Sequence, residues 1–79
     1  MKLNKRTINN INKKYNVDIT NITTVAELLK AFERVTYKVV VDADLCDETV
    51  HYIEDVNGDL IVYTTDENDT NKLTYIGLE

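Results

Sequence analysis

Apolar residues recur along this chain with a helical period first and a strand period later. Between residues 4 and 15, Ile8, Ile11 and Tyr15 fall at spacings of three and four, while Lys5, Arg6, Asn9, Asn10, Lys13 and Lys14 lie mostly on the other side. This spacing predicts a short amphipathic helix over residues 4–15, with Asn16 suited to a C-cap. Residues 17–22 read as an extended connector, with Val17 and Ile19 as its apolar positions. Thr24 then has the residue type of an N-cap and Glu27, three positions on, completes a capping box. Val25, Leu28, Leu29, Phe32 and Val35 form an apolar stripe behind that cap, so a second helix is predicted over residues 25–34.

After Val35 the period becomes two. Tyr37, Val39, Val41, Ala43 and Leu45 alternate with Lys38, Val40, Asp42 and Asp44, which predicts a strand over residues 37–45. Residues 46–48 suffice only for a tight connection, and residues 49–56 are a second strand-like run. Asn57-Gly58 is the dipeptide that best tolerates the positive φ angles of a two-residue type I′ hairpin turn. Residues 60–65 form the third predicted strand, residues 66–71 a polar loop, and residues 72–78 the fourth strand. The fold class expected is α+β: two N-terminal helices packed on one face of a four-stranded antiparallel β-meander, in a single domain spanning 1–79.

A two-residue turn sets Val56 opposite Asp59, Glu54 opposite Ile61, Ile53 opposite Val62 and Tyr52 opposite Tyr63. A connection of three residues sets Leu45 opposite Thr49 and Val41 opposite Ile53. Val39, Val41, Ala43, Leu45, Ile53, Leu60 and Val62 then share the helix-covered side. Lys38, Val40, Asp42, Asp44, Val50, Tyr52, Glu54, Ile61 and Tyr63 share the outer side. An antiparallel sheet can leave such a side in water, but carboxylates set around tyrosines are also the residue types of an interface that takes up Arg and Lys.

At 79 residues, 43% hydrophobic and 29% charged, the chain has the composition of a small globular protein. No apolar run approaches the roughly 18 residues of a membrane helix, and Asn9, Asn10 and Asn12 stand where a signal peptide needs its apolar stretch. With Cys46 and His51 as the single cysteine and single histidine, neither an intrachain disulfide nor a Cys/His zinc site can form. A reducing bacterial cytoplasm is the expected compartment. Charge is uneven: residues 1–38 carry eight basic side chains against three acidic ones, whereas residues 39–79 carry Lys72 against eleven acids, giving −5 for the whole chain. The acidic half is expected to attract basic protein surfaces and to repel nucleic acid.

Candidate chemistry is sparse. Asp55, Asn57 and Asp59 have the spacing of a calcium loop, but Leu60 stands where that loop requires glycine. Asp66, Glu67, Asn68 and Asp69 supply oxygen ligands for a loosely held divalent ion, although such stretches are more often solvated connections. His51 is expected on the core side near a sheet end, and Cys46 has no cation nearby in sequence to activate it. Gly58 and Gly77 are too few for a phosphate-binding loop. Neither a cofactor nor a catalytic constellation is expected.

In its size, its proline-free composition rich in Asn, Thr, Lys and Asp, and its acidic run from Asp42 through Asp69, the chain resembles the small acidic inhibitors that bacteriophages encode against host nucleases, among them anti-CRISPR proteins and DNA mimics. The basic residues of 1–38 depart from the uniformly acidic pattern of many DNA mimics. The resemblance implies that Asp42, Asp44, Asp47, Glu48, Glu54, Asp66, Glu67 and Asp69 stand in for phosphates in the nucleic-acid channel of a host enzyme. Tyr52 and Tyr63 complete the expected partner-binding set as aromatic anchors. The function expected is therefore a non-enzymatic inhibitor or adaptor that engages a basic surface of a host protein such as a nuclease. Two alternatives stand beside it: a small nucleic-acid-binding regulator working through the basic N-terminal helix, and a structural or assembly protein whose terminal strand pairs with a neighbour's sheet edge.

Overall fold

The computed structural model describes residues 3–35, 37–41 and 50–78. Two helices, α1 (Lys5–Tyr15) and α2 (Val25–Ala31), precede four strands, β1 (Tyr37–Val41), β2 (Val50–Asp55), β3 (Leu60–Asp66) and β4 (Asp69–Leu78). The strands form one antiparallel sheet in the order β1-β2-β3-β4. The mixed α+β fold with its helices N-terminal to the strands is the architecture expected.

Local chemistry explains where each helix begins and ends. Asn4 caps α1 by accepting the Thr7 N–H through Oδ1 at 3.1 Å, and Asn16 closes it in the left-handed region at φ 53°. That conformation suits Asn, whose short polar side chain tolerates it better than most. Asn12 ties down the chain that follows: its Oδ1 accepts the Ile19 N–H at 2.8 Å, and its Nδ2 donates to Thr20 Oγ1 at 3.2 Å. Ile19 is thereby turned fully into the core. At α2, Thr24 Oγ1 accepts the Glu27 N–H at 3.2 Å, while Glu27 Oε1 takes up the Thr23 N–H and the Thr24 hydroxyl. These contacts lower the pKa of Glu27, led by the bond from the Thr23 N–H. The helix ends at Ala31 rather than residue 34, because Glu33 N and Val35 N donate three residues back, to Lys30 O and Phe32 O, and tighten the last turn.

The core comprises Ile8, Ile11, Ile19, Leu28, Phe32, Ile53, Ile61, Tyr63, Leu73 and Ile76. Phe32 is fully buried at its centre, with Tyr15 and Tyr37 packed edge-on at 5.4 and 6.3 Å between ring centroids. Truncating it to alanine would cost about 3–5 kcal/mol.

Two sheet registers differ from the expected ones, and only one changes a face. Val39 pairs with Ile53 and Val41 with His51, a slide of two residues that leaves Val39 and Ile53 on the helix side as anticipated. Ile53 also pairs with Ile61, however, and His51 with Tyr63, so β2 and β3 are offset by one residue from the expected pairing. Because side chains alternate, that single step puts Ile61 and Tyr63 in the core and Leu60 and Val62 on the outer side.

The cause lies in Asp55. Its Oδ1 accepts the N–H groups of both Asn57 and Asp59, at 2.9 and 3.0 Å, while Gly58 N donates to Asp55 O and Asp55 N to Asp59 O. Gly58 alone in this loop has positive φ, at 83°. This is a three-residue hairpin, a tight turn followed by a glycine bulge, and not the two-residue turn that Asn57-Gly58 suggests.

The expected polar loop 66–71 is also different. Asp66 pairs with Asp69 around Glu67 and Asn68, so Asp69, Thr70 and Asn71 already belong to β4. Asp66 Oδ1 accepts the Asn68 N–H at 2.8 Å and Asp69 Oδ1 the Asn71 N–H at 3.0 Å. The register then shifts on either side of Thr65, and the looped-out stretch of β4 meets the start of α2. Thr24 bridges Lys72, Leu73 N donates to Thr23 O, and Asn71 Oδ1 accepts the Ala26 N–H at 3.1 Å. The N-terminus of α2 is thus capped once locally, by Thr24, and once across 45 residues of sequence, by Asn71.

Both helices pack chiefly against β4. Val39, although on the helix side, is therefore 43% exposed. Ala43 and Leu45, the other core residues expected of the first strand, lie outside the described residues.

Candidate functional site

Among the described residues no helix packs on the outer side of the sheet, and the pairings show what occupies it. One row across the four strands runs Val40, Tyr52, Val62 and Gly77; a second is Lys38, Glu54 and Leu60; a third is Val50, Thr64 and Tyr75. Among the described residues none of these apolar side chains belongs to the core cluster or packs against it. Val40 is 38% and Tyr75 46% exposed. The Tyr75 ring lies over Gly77, where a Cβ would come within 2.9 Å of Tyr75 Cζ, so glycine is needed for the ring to lie flat on the sheet. Among the described residues Lys38 and Glu54 carry the charge on this side, and they pair with each other at 3.6 Å.

The β3 residues on this surface are not those the sequence suggests. The one-residue offset of β3 brings Leu60 and Val62 onto it and removes Tyr63, which is 2% exposed and stacks on His51 with ring centroids 5.1 Å apart. Tyr63 therefore cannot serve as a surface anchor, and burial raises its pKa, with the charge of Tyr37 adding to the effect. His51 lies on the core side, as expected. Tyr52 and Glu54 do lie on the outer side. Asp42, Asp44, Asp47 and Glu48 lie outside the described residues, as does Cys46.

The remaining acids divide between the two ends of the sheet. At the β2–β3 end, Asp55 and Asp59 are held by α1: the Tyr15 hydroxyl donates to Asp55 Oδ2 at 2.9 Å, and Lys14 Nζ lies 3.3 Å from Asp59 and 5.5 Å above the Tyr15 ring. Burial, then the bond to Asp55 and the negative charges of Asp55 and Asp59, push Tyr15 up to about 12. Partial burial raises the pKa of Asp55, but donors from Tyr15, Asp59 and Asn57, with Lys14 nearby, outweigh it and hold that carboxyl below its usual range. A cleft of about 320 Å³ lies here, between Lys14, Val35 and Asn57.

Asp66, Glu67 and Asp69 sit at the opposite end, where the β3–β4 turn lies beside Val41 and Val50. Glu67 and Asp69 are exposed, and among the described residues no cation pairs with any of the three. The basic helix neutralises the acidic half at one point only among the described residues, Lys14 with Asp59. Lys5, Arg6 and Lys13 are exposed on α1, without an acidic partner among the described residues.

A wider groove of about 690 Å³ runs between α1, the connector and β4, with Ile8, Ile22 and Leu73 along its floor and Lys5 and Lys72 on its lining. Among the described residues no group of three or more His, Cys, Asp and Glu side chains is placed to hold a metal ion. No helix among them is long and apolar enough to cross a membrane.

Asn12, Tyr15, Asp55 and Asn71 carry much of the geometry, and sequence reasoning gave none of them a role of this kind. Each acts through a side-chain bond to a distant or irregular segment, for which hydrophobic periodicity has no signal. Comparison with known protein families, curated proteins and solved structures finds no match to this chain.

Proposed function

We propose that this chain is a non-enzymatic protein-binding module, an inhibitor or adaptor, that engages a basic surface of another protein. The observation that supports it is the outer sheet side, where Val40, Tyr52, Val62 and Tyr75 form an apolar and aromatic strip. The carboxylates of Asp66, Glu67 and Asp69, unpaired with any cation among the described residues, stand at one end of the same sheet. Apolar strips of this kind on small proteins mark partner contacts, and tyrosines contribute strongly to binding because they bury large area with few rotatable bonds. Carboxylates beside the strip steer association toward Lys- and Arg-rich patches and select for them.

The nucleic-acid channel of an enzyme is such a patch, and a phage-encoded inhibitor of a CRISPR nuclease is the particular form the proposal takes. The reading is tested by affinity capture from a bacterial lysate at low salt, followed by elution at high salt and assay of the eluted enzyme with and without the protein. Release of a nucleic-acid enzyme by salt, together with its inhibition, is the expected result. Capture of nucleic acid itself would overturn it and favour a regulator working through Lys5, Arg6 and Lys13.

A further inference from the structure

The two edges of the sheet are treated differently. At β4, the looped-out stretch is bridged by Thr24, the Leu73 N–H is taken by Thr23 O, and the register is broken on either side of Thr65. These features cover the β4 edge at Lys72–Leu73 and distort the strand there, as proteins do to limit further pairing. Among the described residues β1 shows neither feature: Tyr37, Lys38, Val39, Val40 and Val41 pair in unbroken register with β2, and no other described segment pairs along the far side. Val39 on the helix side and Val40 on the outer side are both exposed, at 43% and 38%. An open edge whose central residues are exposed and apolar on both faces is a template for another strand.

We propose that β1 is a self-association edge, pairing antiparallel with β1 of a second copy of this chain to give a continuous eight-stranded sheet. The pairing is self-complementary. A two-fold axis at Val39 sets Val39 against the partner's Val39, Tyr37 against the partner's Val41, and Lys38 against the partner's Val40. No like charges stand directly opposite one another, and Lys38, which lies diagonal to the partner's Lys38, is compensated by Glu54 within its own chain. The antiparallel arrangement also sends the Asp66–Asp69 turns of the two copies to opposite ends of the joined sheet, so the acidic ends do not oppose association. The outer side is left free and doubled in extent. This inference does not depend on the proposed function, because it uses the strand edge and not the sheet face.

An edge of five residues is a small interface, and small interfaces are weak. Sedimentation velocity over a rising micromolar series is expected to show the mass climbing from 9.1 kDa toward twice that value. Val39→Lys combined with Val40→Lys should raise the dissociation constant at least tenfold while leaving the circular dichroism spectrum unchanged. If that variant fails to fold, isotope-filtered NMR on a mixture of labelled and unlabelled wild-type chains decides the matter through contacts between Val39 methyl groups of different chains. A constant 9.1 kDa mass, a dimer indifferent to the double substitution, or a dimer without those contacts would each overturn the proposal.

Discussion

The β2–β3 turn decides which side chains of β3 face outward, and two substitutions within it read its geometry directly. Gly58 holds φ at 83°, and a Cβ added there would meet nothing within 4 Å. Gly58→Ala therefore has no steric clash to relieve, and its cost is that of holding an L-residue left-handed, about 1–2 kcal/mol. In a chain of this size that lowers Tm by roughly 4–16 °C. Asn57 has no positive φ and lends the turn its backbone N–H, which an alanine also carries. Asn57→Ala should therefore stay within about 0.5 kcal/mol of wild type. Gly58→Asn should fall between the two, since Asn tolerates this region, as Asn16 does at φ 53°. Thermal and urea unfolding followed by circular dichroism measure all three. Equal losses from Asn57→Ala and Gly58→Ala would mean positive φ at both positions, a two-residue turn, and Val62 rather than Tyr63 in the core, which would refute the register described above.

Four further outcomes follow from named contacts. Ile61→Ala should cost about 2–5 kcal/mol and Val62→Thr under about 1 kcal/mol in urea unfolding, and the reverse order would invert β3. Thr24→Ala and Asn71→Ala should each cost about 1 kcal/mol, as cap losses do, with faster amide exchange at Ala26 in the second; unchanged exchange there would remove Asn71 from the cap. Tyr15 is raised in the folded state from 10.0 to about 12, so the stability it contributes is complete below pH 10 and is lost as pH climbs from 10 toward 12. The full linkage of such a change is about 2.7 kcal/mol, reduced to about 1 kcal/mol by solvent around the partly exposed ring; melts of wild type and Tyr15→Phe should diverge below pH 10 and converge above it, and parallel curves would contradict the bond to Asp55. Thr65 is 5% exposed and its Oγ1 has no partner among the described residues, so Thr65→Val should be neutral or stabilising by up to about 1 kcal/mol, and a clear loss would reveal a hydrogen bond to that hydroxyl.

Much of this fold is legible in the sequence, and the parts that are not share a physical cause. Thr24 with Glu27, Asn16 at the close of α1, and the alternation beginning at Tyr37 are local signals, and each marks an element where it stands. The β1–β2 pairing differs from the expected one by two residues, and an even slide leaves every side chain on its side. The β2–β3 pairing differs by one, because the Asp55 carboxylate gathers two N–H groups and stretches an Asn-Gly turn into a three-residue loop. That odd step exchanges Ile61 and Tyr63 for Leu60 and Val62 on the outer side, while Tyr52 and Glu54 keep the side expected of them and Asp42 and Asp44 lie outside the described residues. Residues 66–71 read as a loop because six polar residues in succession carry no period. Only Glu67 and Asn68 turn, and Asp66 and Asp69–Asn71 are strand, because Asp66 and Asp69 accept the N–H groups of Asn68 and Asn71 and Asn71 reaches the start of α2. Side-chain bonds between segments far apart in sequence leave no trace in periodicity, which is why Asn12, Tyr15 and Asn71 emerge only from the folded arrangement.

Repeating the salt-graded capture with three sets of variants decides whether the outer sheet side with its acidic end is the working surface. Val62→Lys, and separately Asp66→Asn with Glu67→Gln and Asp69→Asn, should each abolish capture of the partner enzyme at low salt, while Lys5→Gln with Arg6→Gln and Lys13→Gln should leave it intact. Capture that survives the first two changes and is lost with the third would place the working surface on α1 and contradict the account.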